Sequence, residues 1–493
     1  VIGASIPTPD VDWAALAPGL ALLVASGICL LGAVLFPRDT RRFFSAVVAF
    51  TGFVAAGVLA GGLYEDTPDP VSLISDSMTR DRLAALTQVV LAGIGVLVVL
   101  VSHGDRRRDH VGEYYALVTA AAAGMMFFVS AGNLMTLFLG LEWFSIALYI
   151  LCALDTHREQ SLEAGLKYLI IGSFGSAILL FGSALVYGAT GELGFDAIRT
   201  APAADDPLFV TGMALILAGL AFKVSAAPFH MWTPDVYEGA PTTVTGLMAA
   251  ATKAAAIVVT LRVLVTAFPE QSEIWTVAVA ALAVASLVVG NLAALVQRDV
   301  KRMLAYSSIS QAGFLLIAVA ANNAAGGEAL LYFLIPYTAA TVGAFAVVAA
   351  REREIGRAVS LDGLAGLGWE RPLHGVAMWV FMLSFAGFPL TGGFLGKFTV
   401  FSAVYESGWW WLVVIGVVAT AVSVAYYLAV VRALYMRPSQ VVGTTSVAVG
   451  GSPPADRSLD AALLASVAVV VGSFFFVEPL FDLVTKAVSQ LPW

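Results

Sequence analysis

Charge is what this sequence has least of. Only 12% of its 493 residues are Asp, Glu, Lys or Arg, while 59% are hydrophobic; soluble domains carry about 25% charged and about 45–50% apolar residues. A soluble fold is excluded. Cysteine is nearly as scarce: Cys29 and Cys152 are the only two, both in apolar runs. They are too few for an iron–sulfur cluster, which usually takes four thiolates, and read as packing residues. The opening stretch VIGASIPTPDVDW has no basic residue, so it lacks the positive region of a cleaved signal peptide. The first apolar run is therefore expected to be a retained span. No HExxH motif or Cys/His cluster is present, which leaves metal catalysis without support. GGFLGKF resembles a phosphate-binding loop only superficially, because Thr391 stands where that loop needs glycine and Phe398 where it needs Ser or Thr.

Long apolar runs fill almost everything else. Spanning a bilayer takes about 20 apolar residues, and fourteen such segments lie near 13–35, 43–63, 83–102, 114–130, 134–154, 162–188, 208–227, 242–267, 275–296, 303–320, 329–350, 373–406, 410–435 and 459–483. The expected fold is an all-α integral membrane protein of about fourteen transmembrane helices, one polytopic domain over 1–493. Loops after odd-numbered segments hold sixteen basic residues, among them Arg41, Arg42, Arg106, Arg107, Arg108, Arg298, Lys301, Arg302 and Arg353. The opposite loops hold four, Arg80, Arg82, Arg199 and Lys486, beside acidic stretches such as YEDTPDP. By the positive-inside rule both termini face outward.

Six basic residues remain within or at the ends of the apolar segments: Lys167, Lys223, Lys253, Arg262, Lys397 and Arg432. The chain has only six lysines against twenty arginines, so lysine is concentrated in the membrane. Arginine stays protonated, whereas lysine readily changes protonation when desolvated, which suits lysine to a relay. Arg262 and Arg432 are expected to snorkel from helix ends. Lys167 has Glu163 one turn away, and its alternative reading is a local ion pair. Lys253 has no acid within a turn. Glu142 is the one acid well inside a segment; it needs a partner from another helix, and a Glu–Lys pair there would be either a static tie or a switchable one. His230 reads as a proton-entry group at the basic side or as a loop-fixing residue.

The segment 373–406 is too long for one straight span, roughly 51 Å at 1.5 Å per residue against a core of about 30 Å. GFPLTGGFLGKF is expected to interrupt it through Pro389, Gly392 and Gly393, with Lys397 just after. Lys223 is followed by Pro228, the reverse order. That reversal fits two inverted repeats with discontinuous helices, although proline is common in membrane helices generally. Thr242, Thr243, Thr245 and Thr252, and the run Tyr306, Ser307, Ser308, Ser310 and Gln311, are expected to hold water between the lysines.

These stretches, KVSAAPFHMWTPDVYEGAP, LGLEWFSIALYIL, EAGLKYLIIGSFGSAILLFG and RDVKRMLAYSSISQAGF, resemble the N-type antiporter-like membrane subunits of bacterial respiratory complex I, the proton-pumping NADH:quinone oxidoreductase. The resemblance covers most of the chain. It implies two inverted five-helix repeats at 114–267 and 275–435, flanking helices in 1–113 and 436–493, and broken helices seven and twelve. It makes Glu142, Lys223, Lys253 and Lys397 the proton-translocating residues, with Lys167 and His230 as further candidates. It also implies a multi-pass place in the bacterial cell membrane and no cofactor in this chain. FMN, iron–sulfur clusters and quinone would belong to partner subunits, namely a peripheral arm and M-, L-, K- and J-like membrane subunits; no nucleic acid is involved. The alternatives are an Mrp-type cation/proton antiporter subunit and a purely structural membrane subunit.

Overall fold

The computed structural model describes residues 11–105, 110–203, 206–438 and 456–493, the side chains of Arg38 and Asp39 excepted. Residues 1–10, the basic cluster Arg106, Arg107 and Arg108, and residues 439–455 lie outside the described residues. Helices α1 (Trp13–Leu35) and α2 (Arg38–Glu65) lead to a hairpin, β1 (Val71–Leu73) and β2 (Met78–Arg80), and then to α3 (Arg82–His103). Next come α4 (Val111–Val129), α5 (Leu134–Cys152), α6 (Glu159–Thr190), the short α7 (Phe195–Thr200), α8 (Pro207–Val224) and α9 (Trp232–Gly239). A π turn, Met248–Thr252, joins α10 (Thr242–Leu247) to α11 (Lys253–Ala267). The remainder is α12 (Ser272–Leu295), α13 (Val300–Ala320), α14 (Ala324–Ile355), α15 (Leu367–Glu370), α16 (Pro372–Ala386), α17 (Gly392–Glu406), α18 (Trp410–Met436), α19 (Arg457–Phe475) and α20 (Val477–Val488).

Helix is the expected answer for such a sequence, because hydrocarbon offers backbone groups no partner outside the chain itself. Thirteen helices among the described residues are long and apolar enough to span a membrane, and the long segment expected to be interrupted forms two shorter helices, α16 and α17. Several starts are fixed by acidic or amide caps: Asp12, Asp81, Asn133, Asp206, Asp299, Asn323 and Asp456 each accept from a backbone N–H in the first turn. The hairpin departs from the all-α expectation. It occupies the acidic loop, where Ile74, Ser75 and Asp76 take positive φ and Val71 pairs with Arg80. The last apolar segment is also divided, α19 ending at Phe475 and α20 starting at Val477.

Three spans form the protein-buried centre. The most apolar windows of Thr242–Ala267, Val300–Ala320 and Ala324–Ile355 are 100%, 94% and 89% buried, against 33% for Trp410–Met436 and Arg457–Phe475. Side chains on those three helices are thus surrounded by protein, while the outer helices turn apolar faces outward.

Two pairs of helices repeat one local arrangement. Asn133 caps α5 and bridges to Gly194 beyond α6, and Asp299 caps α13 and bridges to Ser360 beyond α14. Both α6 and α14 run 32 residues and end on a left-handed glycine, Gly191 and Gly356.

The two expected breaks are present. Helix α8 ends at Ser225, whose φ is +67°, and the chain turns before α9. Helix α16 ends at Gly387 with φ +77°, and Leu390 also takes a positive φ before α17. Gly392 and Gly393 begin α17 rather than break a helix. Their need for glycine is one of close approach: a Cβ on Gly393 would lie 2.1 Å from the Ser384 carbonyl oxygen.

Candidate functional site

Lys223, one residue from the end of α8, is 2% exposed. Its Nζ donates to Ser145 Oγ on α5 at 2.7 Å and to the Tyr168 hydroxyl on α6 at 3.2 Å, and lies 4.7 Å from the centre of the Phe144 ring. Glu142 precedes Ser145 by one turn of α5. The two do not form the ion pair that the sequence suggests: Lys223 is held by hydroxyls, and Glu142 Oε1 is buried without a hydrogen bond. Glu142 thus has no cationic partner among the described residues, and its charge acts on Lys223 only across a gap.

Lys253 follows the π turn, a feature that re-aims side chains in a helix and often occurs at functional positions. It is 1% exposed, and its Nζ donates to the Ser308 carbonyl oxygen at 2.5 Å and also to Ser308 Oγ. The same hydroxyl pairs with Tyr337 of α14 at 3.2 Å. All three buried helices meet at this lysine.

Lys397 lies in the second turn of α17, 3% exposed, and donates to the Phe385 carbonyl oxygen at 2.7 Å. That acceptor exists because α16 stops: the last carbonyls of a helix have no intrahelical partner and carry partial negative charge, which favours a cation. Phe314 places its ring centre 4.2 Å from Lys397 Nζ. Gln311 donates to the same Phe385 oxygen at 2.9 Å and to the Tyr427 hydroxyl at 3.1 Å. Ser308 and Gln311 are three residues apart and so share a face of α13. One helix face therefore touches the partners of both Lys253 and Lys397.

The other candidates lie elsewhere. Lys167 is 40% exposed and pairs with Glu163 at 2.6 Å and Asp235 at 3.1 Å; Asp235 also binds Arg302 at 2.8 Å, which reaches Glu238 at 2.7 Å. This is a partly solvated charge network tying α6, α9 and α13, and it does not touch the other lysines. His230 sits in the turn between α8 and α9, half-buried, its Nδ1 without a hydrogen bond. Its backbone carbonyl accepts from Thr233 N–H. Of the threonines expected near the lysines, Thr252 donates to the Met248 carbonyl and Thr245 to the Tyr237 carbonyl.

Arg262 corrects the reading of a snorkelling side chain. It is 3% exposed and grips Asp81 in a two-point ion pair at 2.5 and 2.8 Å. The partner is 181 residues away, so no local pattern announces it. Arg432, by contrast, is exposed. Ser145, Tyr168, Tyr337 and Tyr427 escaped the sequence reading; the available signal was a hydroxyl inside an apolar run. Among the described residues no group of three His, Cys, Asp or Glu side chains is arranged to hold a metal.

Residues 131–423 match the family described as "NADH:quinone oxidoreductase/Mrp antiporter, TM". The chain is 41% identical to the NADH-quinone oxidoreductase subunit N 2 of Roseiflexus castenholzii, over 98% of each chain. In structure it is similar to a chain of respiratory complex I from Thermus thermophilus, with a TM-score of 0.79, 33% identity, and 95% of this chain and 100% of that one covered. A chain of the Mrp complex from Dietzia shares the fold, with a TM-score of 0.84 at 21% identity and 97% of each chain covered.

Proposed function

We infer function from the premise that this chain belongs to the family of NADH:quinone oxidoreductase and Mrp antiporter membrane subunits, among the relatives named subunit N. It is an antiporter-like, multi-pass membrane subunit of a proton-translocating NADH:quinone oxidoreductase. Its reading as a proton path rests on one observation: three buried lysines, each held by hydroxyl or carbonyl oxygens rather than by carboxylates. Such groups stabilise a protonated amine without trapping it in an ion pair, so its proton affinity stays responsive to nearby charge.

A proton entering from the basic, cytoplasmic face reaches Lys223, passes to Lys253, crosses along Ser308 and Gln311 of α13 to Lys397, and leaves outward. Glu142 gates the first step: when its carboxylate approaches, Lys223 holds its proton, and when it withdraws, the proton moves on. The residues at 114–267 and 275–435 act as two inverted repeats; the matching caps at Asn133 and Asp299 support that division. Lys167 and His230 support the basic end. The driving energy comes from partner subunits, where we place FMN, the iron–sulfur clusters and quinone. These partners are a peripheral arm and M-, L-, K- and J-like membrane neighbours in a bacterial cell membrane.

The test is NADH-driven proton uptake by inverted vesicles carrying Lys397→Met in a fully assembled complex. Loss of uptake supports the path, and wild-type uptake contradicts it. Sodium/proton exchange through this chain without an electron donor would instead favour an independent antiporter.

A further inference from the structure

The Phe385 carbonyl oxygen, at the broken end of α16, accepts from both Lys397 Nζ at 2.7 Å and Gln311 Nε2 at 2.9 Å. Gln311 is 1% exposed. A carbonyl only accepts, so the end of the amide that faces it is the nitrogen. That nitrogen places its second hydrogen on the Tyr427 hydroxyl of α18 at 3.1 Å. Tyr427 is fixed in turn: its hydroxyl pairs with Ser307 Oγ at 2.5 Å, and its ring centre lies 5.8 Å from that of Phe385. The other end of the amide differs. Gln311 Oε1 is buried without a hydrogen bond, and buried acceptors in folded proteins are seldom left so.

Lys397 stands against this same face of α13. Its Nζ lies 4.2 Å from the centre of the Phe314 ring, and Phe314 is three residues beyond Gln311, so both reach the amine from one helix face. Because the two nitrogens meet on one oxygen, the lysine amine and the glutamine amide are neighbours. We propose that Gln311, oriented by Tyr427, is the positioning residue for Lys397: its amide nitrogen keeps the Phe385 carbonyl hydrogen-bonded, and its amide oxygen receives the lysine amine when that amine turns away from the carbonyl. This role rests on the reading of the buried lysines as a proton path.

Held by the carbonyl alone, Lys397 could not move without stripping a buried acceptor at a helix C-terminus, where partial negative charge makes that loss costly. With Gln311 in place the carbonyl retains a donor, and the lysine exchanges one oxygen for another. Gln311 belongs to the helix whose Ser308, three residues earlier, holds Lys253. A turn toward its amide oxygen is therefore a turn toward the side from which the proton comes. Gln311 keeps both amide hydrogens and stays neutral throughout. The one bond made and broken is an N–H bond at Lys397 Nζ, gained from the Lys253 side and given up outward.

Two substitutions separate an amide from a space-filling group. Gln311→Met keeps the length of the side chain and removes both ends of the amide, whereas Gln311→Asn keeps both ends one methylene short, a gap that water can bridge. NADH-driven proton uptake in inverted vesicles, taken per amount of assembled complex, is expected to fall several-fold in Gln311→Met and to lie between that level and wild type in Gln311→Asn. A residue that only fills space would give the reverse order, since asparagine leaves the larger void; that order, or equal losses, overturns the proposal. Wild-type uptake in Gln311→Met while Lys397→Met, measured beside it, loses uptake overturns the positioning role alone. Wild-type uptake in Lys397→Met overturns the underlying path as well. Tyr427→Phe leaves α13 unchanged and keeps the ring against Phe385, so it tests the role even where a Gln311 variant does not assemble. It is expected to cut uptake by a smaller factor than Gln311→Met, and to cut it no further when the two are combined. Wild-type uptake in Tyr427→Phe, or a further loss in the double variant, overturns the proposal.

Discussion

Lys253 Nζ donates to the backbone carbonyl oxygen of Ser308 at 2.5 Å, a contact between the two most deeply buried spans of the protein. Ser308 adds its hydroxyl, which in turn pairs with Tyr337. A lysine so placed has polar partners on one side and protein on every other.

Replacing Lys253 by methionine removes the charge and keeps much of the volume. NADH-driven proton uptake by the assembled complex is expected to fall ~10-fold or more. Ser308→Ala leaves Lys253 the Ser308 carbonyl and deletes only the hydroxyl, so its uptake is expected to fall between Lys253→Met and wild type. Equal loss in the two variants would mean that the hydroxyl, rather than the amine, is the limiting group.

Glu142→Gln keeps the shape of the side chain and removes its charge. Because Glu142 has no cationic partner among the described residues, the change is not expected to destabilise the fold as breaking a buried ion pair would. Proton uptake is expected to drop while the amount of assembled complex stays at the wild-type level. Full coupled uptake in this variant would remove Glu142 from the gating role.

Arg262→Met leaves Asp81 charged and buried without its partner, a loss of ~3–5 kcal/mol by comparison with other broken buried pairs. Thermal stability and recovery of the assembled complex are expected to fall sharply, and the double change with Asp81→Asn to recover part of both. Asp81 also caps α3 through the Ala84 N–H at 2.7 Å, which an asparagine preserves. Normal recovery of the single variant would show that the pair carries little of the stability.

Gly393→Ala forces a methyl group to 2.1 Å from the Ser384 carbonyl oxygen, so α17 must shift against α16 and carry Lys397 with it. Both assembly and uptake are expected to suffer. Gly19→Ala in α1, where nothing lies within 4 Å, is the matched control and is expected to behave as wild type.

Most of the fold was legible because the membrane leaves few choices. Apolar length marked the spans, and Pro389 marked the break before α17, whereas Gly392 and Gly393, expected to share in it, begin that helix. The hairpin at 71–80 was not legible, since its acidic, proline-containing loop has no alternating pattern. At the site, Lys223, Lys253 and Lys397 stood out as cations in apolar runs. Their partners did not, because Ser145, Ser308 and the Phe385 carbonyl are brought near only by packing between distant helices. The same reason hid the Arg262–Asp81 pair. Lys167 and Glu163 were legible as a pair because one helical turn joins them.

The most direct measurement replaces Lys223 by methionine and follows NADH-driven proton uptake in inverted vesicles, after confirming that the complex retains all its subunits. Lys223 is buried against Ser145 and Tyr168, so its loss is expected to abolish most of the uptake while the complex remains intact. Unchanged uptake in the intact complex would mean that the lysine only fastens α8 to α5 and α6, and that the buried lysines are not the path protons take.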